Sequence, residues 1–98
     1  PEILKQIAQG GISIKYIAPN PVHVNNVALR FIMGSSTDNL QIHFVNTLGV
    51  VVKSMNFSRY AYGIHEIYLS VDDIPPGSYY LVLRTDRSMT TRQILIQP

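Results

Sequence analysis

The sequence predicts an all-β protein, namely an immunoglobulin-like antiparallel β-sandwich of about seven strands. Short segments rich in β-branched and aromatic residues recur along the chain with turn residues between them, and no segment shows a convincing helical period. The stretch Ile74–Tyr79 joins two prolines and a glycine to a tyrosine, which is typical of a corner between two sheets. There Gly77 permits a turn, and we expect the Tyr79 ring to pack inward while its hydroxyl bonds a nearby carbonyl. A small open barrel is the alternative fold.

The strands are predicted where apolar and polar residues alternate, because every second side chain of a strand then points toward a core. The predicted strands cover Ile12–Ile17, Val27–Met33, Leu40–Val45, Val50–Phe57, Ile64–Leu69, Ser78–Thr85 and Met89–Gln97. Alternation is clearest in the second and third strands. The residues of these two strands that we expect inside are Val27, Leu29, Phe31, Met33, Leu40, Ile42 and Phe44.

Residues that favour turns lie between the predicted strands and set their ends. Pro19 and Pro21 stop the first strand, because proline lacks the N–H group that a sheet ladder uses. Gly34–Asn39 forms a polar connection, Asn46–Gly49 fits a hairpin with glycine in a left-handed position, and Asp86–Ser88 closes the last hairpin. Hairpins of this kind imply largely antiparallel pairing.

Length and composition indicate one small folded domain. The 98 residues leave room for one core, which we assign to residues 12–98, and 46% of all residues are hydrophobic while only 14% are charged. Residues 1–11 are interpreted as a linker or an added edge segment. The chain begins with Pro1 rather than Met, so we expect it to be a piece of a longer protein.

The charge pattern argues against nucleic acid as a partner, and the hydropathy pattern against a membrane span. Eight Lys and Arg against six Asp and Glu give a formal net charge of +2, and the basic residues are scattered rather than clustered. No apolar run approaches the length of a membrane span. Cysteine is absent, which excludes disulfides and thiolate metal ligands.

Residues that could carry catalysis or bind a metal are few and spread along the chain. A zinc site would need His23, His43 and His65 to converge, and we interpret the latter two as solvent-facing strand residues. A calcium site would need Asp72–Asp73 and Asp86 together, whereas paired carboxylates more often serve turn hydrogen bonds. No serine lies in a nucleophile elbow and no glycine-rich phosphate loop is present. We therefore predict a protein that is not an enzyme and holds no cofactor.

One predicted loop contains residue types that bind ligands in many proteins. Arg59, Tyr60 and Tyr62 lie between the fourth and fifth strands, where they could form an aromatic platform for a sugar or a peptide. The simpler interpretation is that these residues cover one end of the sandwich.

Five short blocks follow one another between Ile12 and Gln97, and their order is more specific than any block alone. The blocks are Ile14–Pro21 with its Pro-Asn-Pro ending, Leu40–Val52, Gly63–Ile67, Ile74–Leu83 and Thr91–Ile96. This succession resembles the C-terminal sorting domain of proteins exported by the type IX secretion system of Bacteroidetes and related bacteria.

The resemblance implies a sandwich that serves as an address label for a cargo protein attached before Ile12. An outer-membrane translocon and its shuttle proteins would recognise the domain, and a cell-surface sortase would remove it, with the cargo released or joined to an anionic lipopolysaccharide. Export would run through the periplasm to the outer membrane, the cell surface or the medium. The residues that match the family's motifs are Pro19, Asn20, Pro21, Gly49, Gly63, Gly77, Tyr79, Arg92, Ile94 and Ile96.

Two functional hypotheses follow from the residues and the resemblance. The first is the sorting domain, whose partner is the secretion apparatus. The alternative is an immunoglobulin-like cell-surface module that binds glycan or protein through Arg59, Tyr60 and Tyr62 or through an exposed sheet. Edge strands of a sheet can pair with a neighbouring molecule, and Met89–Gln97 is the candidate strand for such pairing.

Overall fold

The computed structural model of the chain describes residues 11–22 and 25–98, and it shows two packed antiparallel sheets. The seven strands are β1 (Ile12–Ala18), β2 (Asn26–Met33), β3 (Leu40–Asn46), β4 (Val51–Phe57), β5 (Gly63–Ser70), β6 (Gly77–Arg84) and β7 (Met89–Ile96). One sheet has the order β1-β2-β5 and the other the order β4-β3-β6-β7. The predicted sandwich is confirmed, since no ladder joins the two sheets into a barrel among the described residues.

The predicted linker falls largely on residues 1–10, which lie outside the described residues, as does His23. Within the described part of the chain there is no helix that could span a membrane. Predicted and observed strand ends differ by one residue wherever they differ. The number of strands, their positions along the chain and their antiparallel pairing were therefore predicted from the sequence, whereas the order of the strands within each sheet was not.

The core lies between the two sheets and is filled by alternate side chains of the strands. All the inward residues predicted for β2 and β3 are buried almost completely, namely Val27, Leu29, Phe31, Met33, Leu40, Ile42 and Phe44. Leu81 and Leu83 of β6 and Ile94 of β7 complete this layer from neighbouring strands. Burial of apolar area on this scale is the main stabilising contribution in a domain without disulfides.

Gly49 makes the hairpin between β3 and β4 in the predicted way. Its φ of 84° lies in the left-handed region, which glycine adopts at little cost. The Gly49 amide donates to the Asn46 carbonyl at 3.0 Å, and the Asn46 side-chain oxygen accepts from the Leu48 and Val50 amides, also at 3.0 Å. The turn is thus held by an asparagine that replaces missing ladder bonds.

The predicted corner before β6 is also present. Tyr79 is buried, and its hydroxyl donates to the Pro75 carbonyl at 2.5 Å. Gly77 has a φ of 152°, a conformation that other residues rarely adopt. Ile74 is buried beneath the turn, so the corner is fixed by one hydrogen bond, one special backbone angle and two inward side chains.

The Tyr79→Phe substitution tests the hydrogen bond of the corner without removing the ring. We expect it to lower the free energy of unfolding by about 1 to 2 kcal/mol, because the Pro75 carbonyl loses its donor. Urea denaturation of the two proteins measures the difference. Tyr80→Phe is the matched control, since the Tyr80 side chain points outward. Equal losses in both variants would contradict the assigned role of the Tyr79 hydroxyl.

Candidate recognition surface along the last strand

The Pro-Asn-Pro motif follows β1 and lies beside β7, at the edge of that strand opposite to β6. The side-chain oxygen of Asn20 accepts from the Leu95 amide at 3.2 Å, and its nitrogen donates to the Gln93 carbonyl at 3.3 Å. A carboxamide offers the donor and acceptor of a peptide group, so Asn20 takes the place of a neighbouring strand here. Pro19 and Pro21, which both follow cis peptide bonds, flank this asparagine.

Val22 continues the same contact with its backbone. Its amide donates to the Leu95 carbonyl and its carbonyl accepts from the Gln97 amide, both at 2.7 Å, in a parallel bridge opposite Ile96. The edge of β7 from Gln93 to Gln97 is therefore bonded to its own chain. This half of β7 is thus a poor candidate for pairing with another molecule, because Asn20 and Val22 already occupy its edge.

A side chain of β7 and one of the preceding hairpin bond the backbone of β1. Arg92 donates from Nη2 to the Ile14 carbonyl at 2.9 Å, and the Ile12 amide donates to the Ser88 hydroxyl at 2.9 Å. We call these contacts, together with those of Asn20 and Val22, the β1–β7 seam. The seam joins the two sheets along one side of the sandwich by hydrogen bonds between residues far apart in sequence.

A shallow open cavity lies on the surface of the seam. Its volume is about 300 Å³, and it is lined by Asn20, Ser78, Gln93, Ile94 and Leu95. The Leu95 side chain is 40% exposed, whereas Ile94 is 1% exposed and packs into the core. Alternation along β7 thus separates outward residues that a partner can touch from inward residues that hold the fold.

Most of the predicted motif residues lie toward one end of the sandwich. Ile96 pairs with Gly77, and Ile94 pairs with Tyr79, so the last strand and the corner are neighbours. Tyr79 is also paired with Asn46 at the start of the Gly49 hairpin. Two motif residues lie elsewhere: Gly63 pairs with Met33 at the opposite end, and Arg92 lies midway along the seam. Of the motif residues at the first end, Tyr79, Ile94 and Ile96 are buried.

The histidines do not form a metal site in the described residues. His43 lies in β3 of one sheet and His65 in β5 of the other, and no group of three possible ligands occurs in residues 11–22 and 25–98. The prediction that His65 faces solvent is wrong. Its ring lies 5.5 Å from the Phe31 ring and 4.9 Å from the Tyr60 ring, because it shares the inward side of β5 with Leu69.

The aspartates of the proposed calcium site lie apart. Asp72 and Asp73 precede β6, whereas Asp86 follows it in the next hairpin, so the length of the strand separates them. Asp73 instead pairs with Lys53, whose Nζ lies 2.8 Å from Oδ1. The hydrogen bond from Lys53 lowers the pKa of the Asp73 carboxyl below its ordinary value. Lys53 also donates to the Ser70 carbonyl at 2.7 Å, which links β4 to β5.

The Asp73 pair predicts a small acid-dependent contribution to stability. A lowered folded-state pKa stabilises the fold above the unfolded pKa, and this contribution disappears as pH falls through the folded pKa. Asp73→Asn should therefore be less stable than the wild type at pH 7, and the difference should shrink below about pH 4. Urea denaturation at pH 7 and at a series of lower pH values down to about pH 2 measures it, with Asp86→Asn as control. A difference that does not shrink over this series would contradict the ion pair.

The predicted aromatic platform between β4 and β5 is only partly exposed. The Tyr60 ring turns inward and contacts the rings of Phe31, Phe57 and His65 at centroid distances of 4.9 to 5.7 Å. Burial raises the pKa of the Tyr60 hydroxyl. An open cavity of about 300 Å³ remains beside it, lined by Ser36, Thr37, Asp38, Arg59, Tyr60 and Ala61. Its position is at the end of the sandwich opposite to the seam cavity.

One polar cluster on the outer face of the β1-β2-β5 sheet was not predicted. The Tyr16 hydroxyl donates to Glu66 Oε1 at 2.5 Å and the Tyr68 hydroxyl to Oε2 at 3.1 Å, while Arg30 Nε lies 3.8 Å from Oε1. The hydrogen bonds from Tyr16 and Tyr68 lower the pKa of the Glu66 carboxyl and raise the pKa values of both phenols. These residues come from three strands, so only their pairing register brings them together.

Comparisons with known proteins identify the family. A model of the secretion system C-terminal sorting domain matches residues 16–97 of the chain. Among solved structures, the CARDB domain of a Pyrococcus furiosus protein, crystallised in complex with di-metal ions, is similar over 88% of either chain, with 13% identity and a TM-score of 0.42. No curated protein matches the chain. Because the family match covers most of its length, this chain belongs to the family of C-terminal sorting domains of type IX secretion.

Proposed function

We propose that residues 12–98 form a non-catalytic label that directs an attached N-terminal cargo protein across the outer membrane by type IX secretion. The observation that carries this proposal is the family match over residues 16–97, which includes Asn20, Val22 and the whole of β7. On this proposal the translocon and its shuttle proteins bind the folded domain. A cell-surface sortase then cuts before Ile12, and the cargo is released or anchored at the surface.

We propose further that the export machinery contacts the outward residues of the seam, namely Asn20, Ser78, Gln93 and Leu95. They line one cavity and are exposed, whereas Ile94 is not. Asn20 is 73 positions from Gln93 in the chain, and their hydrogen bond exists only in the folded domain. A partner that contacts all four residues therefore distinguishes a folded label from an unfolded one.

A reporter fusion tests the sorting function. Residues 12–98 are fused to the C-terminus of a periplasm-directed fluorescent protein and expressed in a bacterium with an active type IX system. We expect the reporter at the cell surface or in the medium, and in the periplasm when the translocon is deleted. Retention of a folded reporter in the periplasm of the competent strain would overturn the proposal and favour the glycan- or protein-binding alternative.

Variants of the same fusion test the contact surface separately. Leu95→Ala removes an exposed side chain of the seam cavity, and Val52→Ala is the matched control because Val52 is 42% exposed on β4. We expect Leu95→Ala to lower export severalfold while its thermal stability stays near the wild-type value. Equal export of both variants, with the wild type exported, would contradict the surface and leave the sorting function standing.

The proposed sortase step has its own measurement. The reporter for this test is fused to all 98 residues, because the proposed cut lies before Ile12. Mass spectrometry of the exported reporter in a competent strain should show a C-terminus before Ile12, and a sortase-deficient strain should retain residues 12–98 on the reporter. An exported reporter that keeps the whole domain in both strains would contradict removal.

A further inference from the structure

The open cavity at the end of the sandwich opposite to the seam has two walls, which come from two different connections. Residues 36–38, between β2 and β3, form one wall, and residues 59–61, between β4 and β5, form the other. We call this space the loop cavity. Its volume of about 300 Å³ is at the lower end of the range for small-ligand sites. The loop cavity therefore has room for a single sugar ring or a molecule of similar size.

Hydrogen bonds and ring packing hold the two walls together. The Thr37 amide donates to the Tyr60 carbonyl at 2.9 Å, and the Tyr60 amide donates to the Thr37 carbonyl at 3.1 Å. Beneath this bridge the Tyr60 ring contacts the rings of Phe31, Phe57 and His65. Because the walls are already fixed to each other and to the core, a ligand that binds between them loses little affinity to the ordering of loops.

The loop cavity is lined by two opposite charges that do not neutralise each other by contact. Asp38 and Arg59 are both exposed, and their side chains lie too far apart to form an ion pair. Among residues 11–22 and 25–98, neither side chain enters a hydrogen bond or an ion pair. One carboxylate and one guanidinium leave the lining without net charge. The cavity thus offers a strong acceptor and strong donors to a ligand that is itself neutral.

We propose that the loop cavity binds a neutral saccharide through Asp38 and Arg59. A sugar hydroxyl has one donor and two acceptor lone pairs, so neighbouring hydroxyls can donate to the Asp38 carboxylate and accept from the Arg59 guanidinium. Such bonds bridge the gap that keeps the two side chains apart. Ser36 supplies one more hydroxyl, and the Ala61 methyl group supplies an apolar contact for the C–H face of the ring. The mixed lining therefore matches the mixed surface of a sugar.

This site differs from the aromatic platform that the sequence predicts. Tyr60 supports a wall with its ring turned inward, Asp38 comes from a different connection, and Tyr62 does not line the cavity although it is 62% exposed. The site also lies at the other end of the sandwich from the seam. A saccharide and a partner at the seam can therefore bind one domain together, and the proposal does not depend on the sorting function.

Titration of the whole chain with methyl glycosides tests the proposal by two-dimensional proton–nitrogen spectra. The probes are the methyl glycosides of glucose, galactose and mannose. We expect at least one of them to shift the amide signals of residues 36–38 and 59–61, with a dissociation constant in the roughly millimolar range that a shallow site allows. Amide signals of Gln93 and Leu95 in the seam cavity should stay in place.

Single substitutions on each wall test the two proposed contacts. Asp38→Asn and Arg59→Ala should each weaken glycoside binding about tenfold or more, because each removes a hydrogen bond to a charged group. Asp86→Asn and Arg87→Ala are the matched controls, since they remove the same charges from an exposed hairpin outside the cavity. Both controls should bind like the wild type. Circular dichroism verifies that all four variants are folded.

Three results would overturn the saccharide site. The first is unchanged amide signals of residues 36–38 and 59–61 with all three glycosides at roughly 100 mM. The second is wild-type affinity in Asp38→Asn and Arg59→Ala, or an equal loss of affinity in the controls. The third is a response to glycine, which is a zwitterion, without a response to any glycoside. Export of the reporter fusion should be the same in both wall variants as in the wild type, so this outcome and that of the sorting function are separate.

Discussion

Replacing Ile94 with alanine is expected to lower the free energy of unfolding by about 2 to 5 kcal/mol. Ile94 is 1% exposed and lies in the core opposite Tyr79, so the shorter side chain leaves a cavity that the rigid sheets cannot fill. A domain of this size has a total stability of about 5 to 15 kcal/mol. The substitution therefore removes a large share of it, which urea denaturation measures directly.

The adjacent residue is the matched control for this prediction. Leu95 is 40% exposed on the opposite face of β7, so Leu95→Ala should cost less than about 1 kcal/mol. In the reporter fusion both variants should reduce export, Ile94→Ala because a larger fraction of the label is unfolded and Leu95→Ala because a contact is missing. Similar stability losses in the two variants would contradict the inward and outward assignment of β7.

The sheets and most of the core were predictable because they depend on local patterns. Alternation in β2 and β3 fixes which face is buried, and proline and glycine fix where strands stop. The corner at Tyr79 needs only residues that are close in sequence. The inward position of His65 was predictable too, because His65 and the buried Leu69 are four residues apart in β5 and so lie on the same face of the sheet. It was missed because a polar histidine was assumed to be exposed.

The seam could not be predicted, because its geometry depends on how the two sheets pack. Nothing local to Asn20 indicates that its side chain bonds Gln93 and Leu95 on a strand from the other end of the chain. The same holds for Arg92 and the Ile14 carbonyl. Sequence identified Asn20 and Arg92 as motif residues through the family resemblance, whereas the structure shows which backbone groups they satisfy.

The seam also gives a physical reason why the motifs of the family span the whole domain. Asn20 and Val22 occupy the edge of the last strand, so the last strand is held by the first block of the sequence. Under the proposed function, a chain that lacks the first block loses part of the recognition surface and also exposes the β7 edge. Edge exposure favours pairing with other chains, which would hinder passage through a translocon.

Replacing Gly77 with alanine is expected to lower the free energy of unfolding by about 1 to 3 kcal/mol. A Cβ atom at this position would lie 3.7 Å from the Tyr79 ring, an ordinary contact, so crowding is not the cause. The cause is the φ of 152°, which an L-residue with a Cβ atom rarely adopts. If the backbone relaxes instead, the Tyr79 hydroxyl moves away from the Pro75 carbonyl and its hydrogen bond is weakened.

Urea denaturation measures the free energy of unfolding of Gly77→Ala and of Ser78→Ala. Ser78 is the exposed neighbour of Gly77 in the same strand and serves as the control. Ser78→Ala should change the free energy of unfolding by less than about 0.5 kcal/mol, because it is a surface substitution in ordinary strand conformation. The double variant Gly77→Ala/Tyr79→Phe distinguishes backbone strain from backbone relaxation. If the losses of unfolding free energy of the two single variants add, the alanine causes strain at Gly77 alone. A smaller loss in the double variant indicates that the alanine has already displaced the Tyr79 hydroxyl. Wild-type stability in Gly77→Ala would contradict the positive φ and, with it, the assigned geometry of the corner that places Tyr79 opposite Ile94.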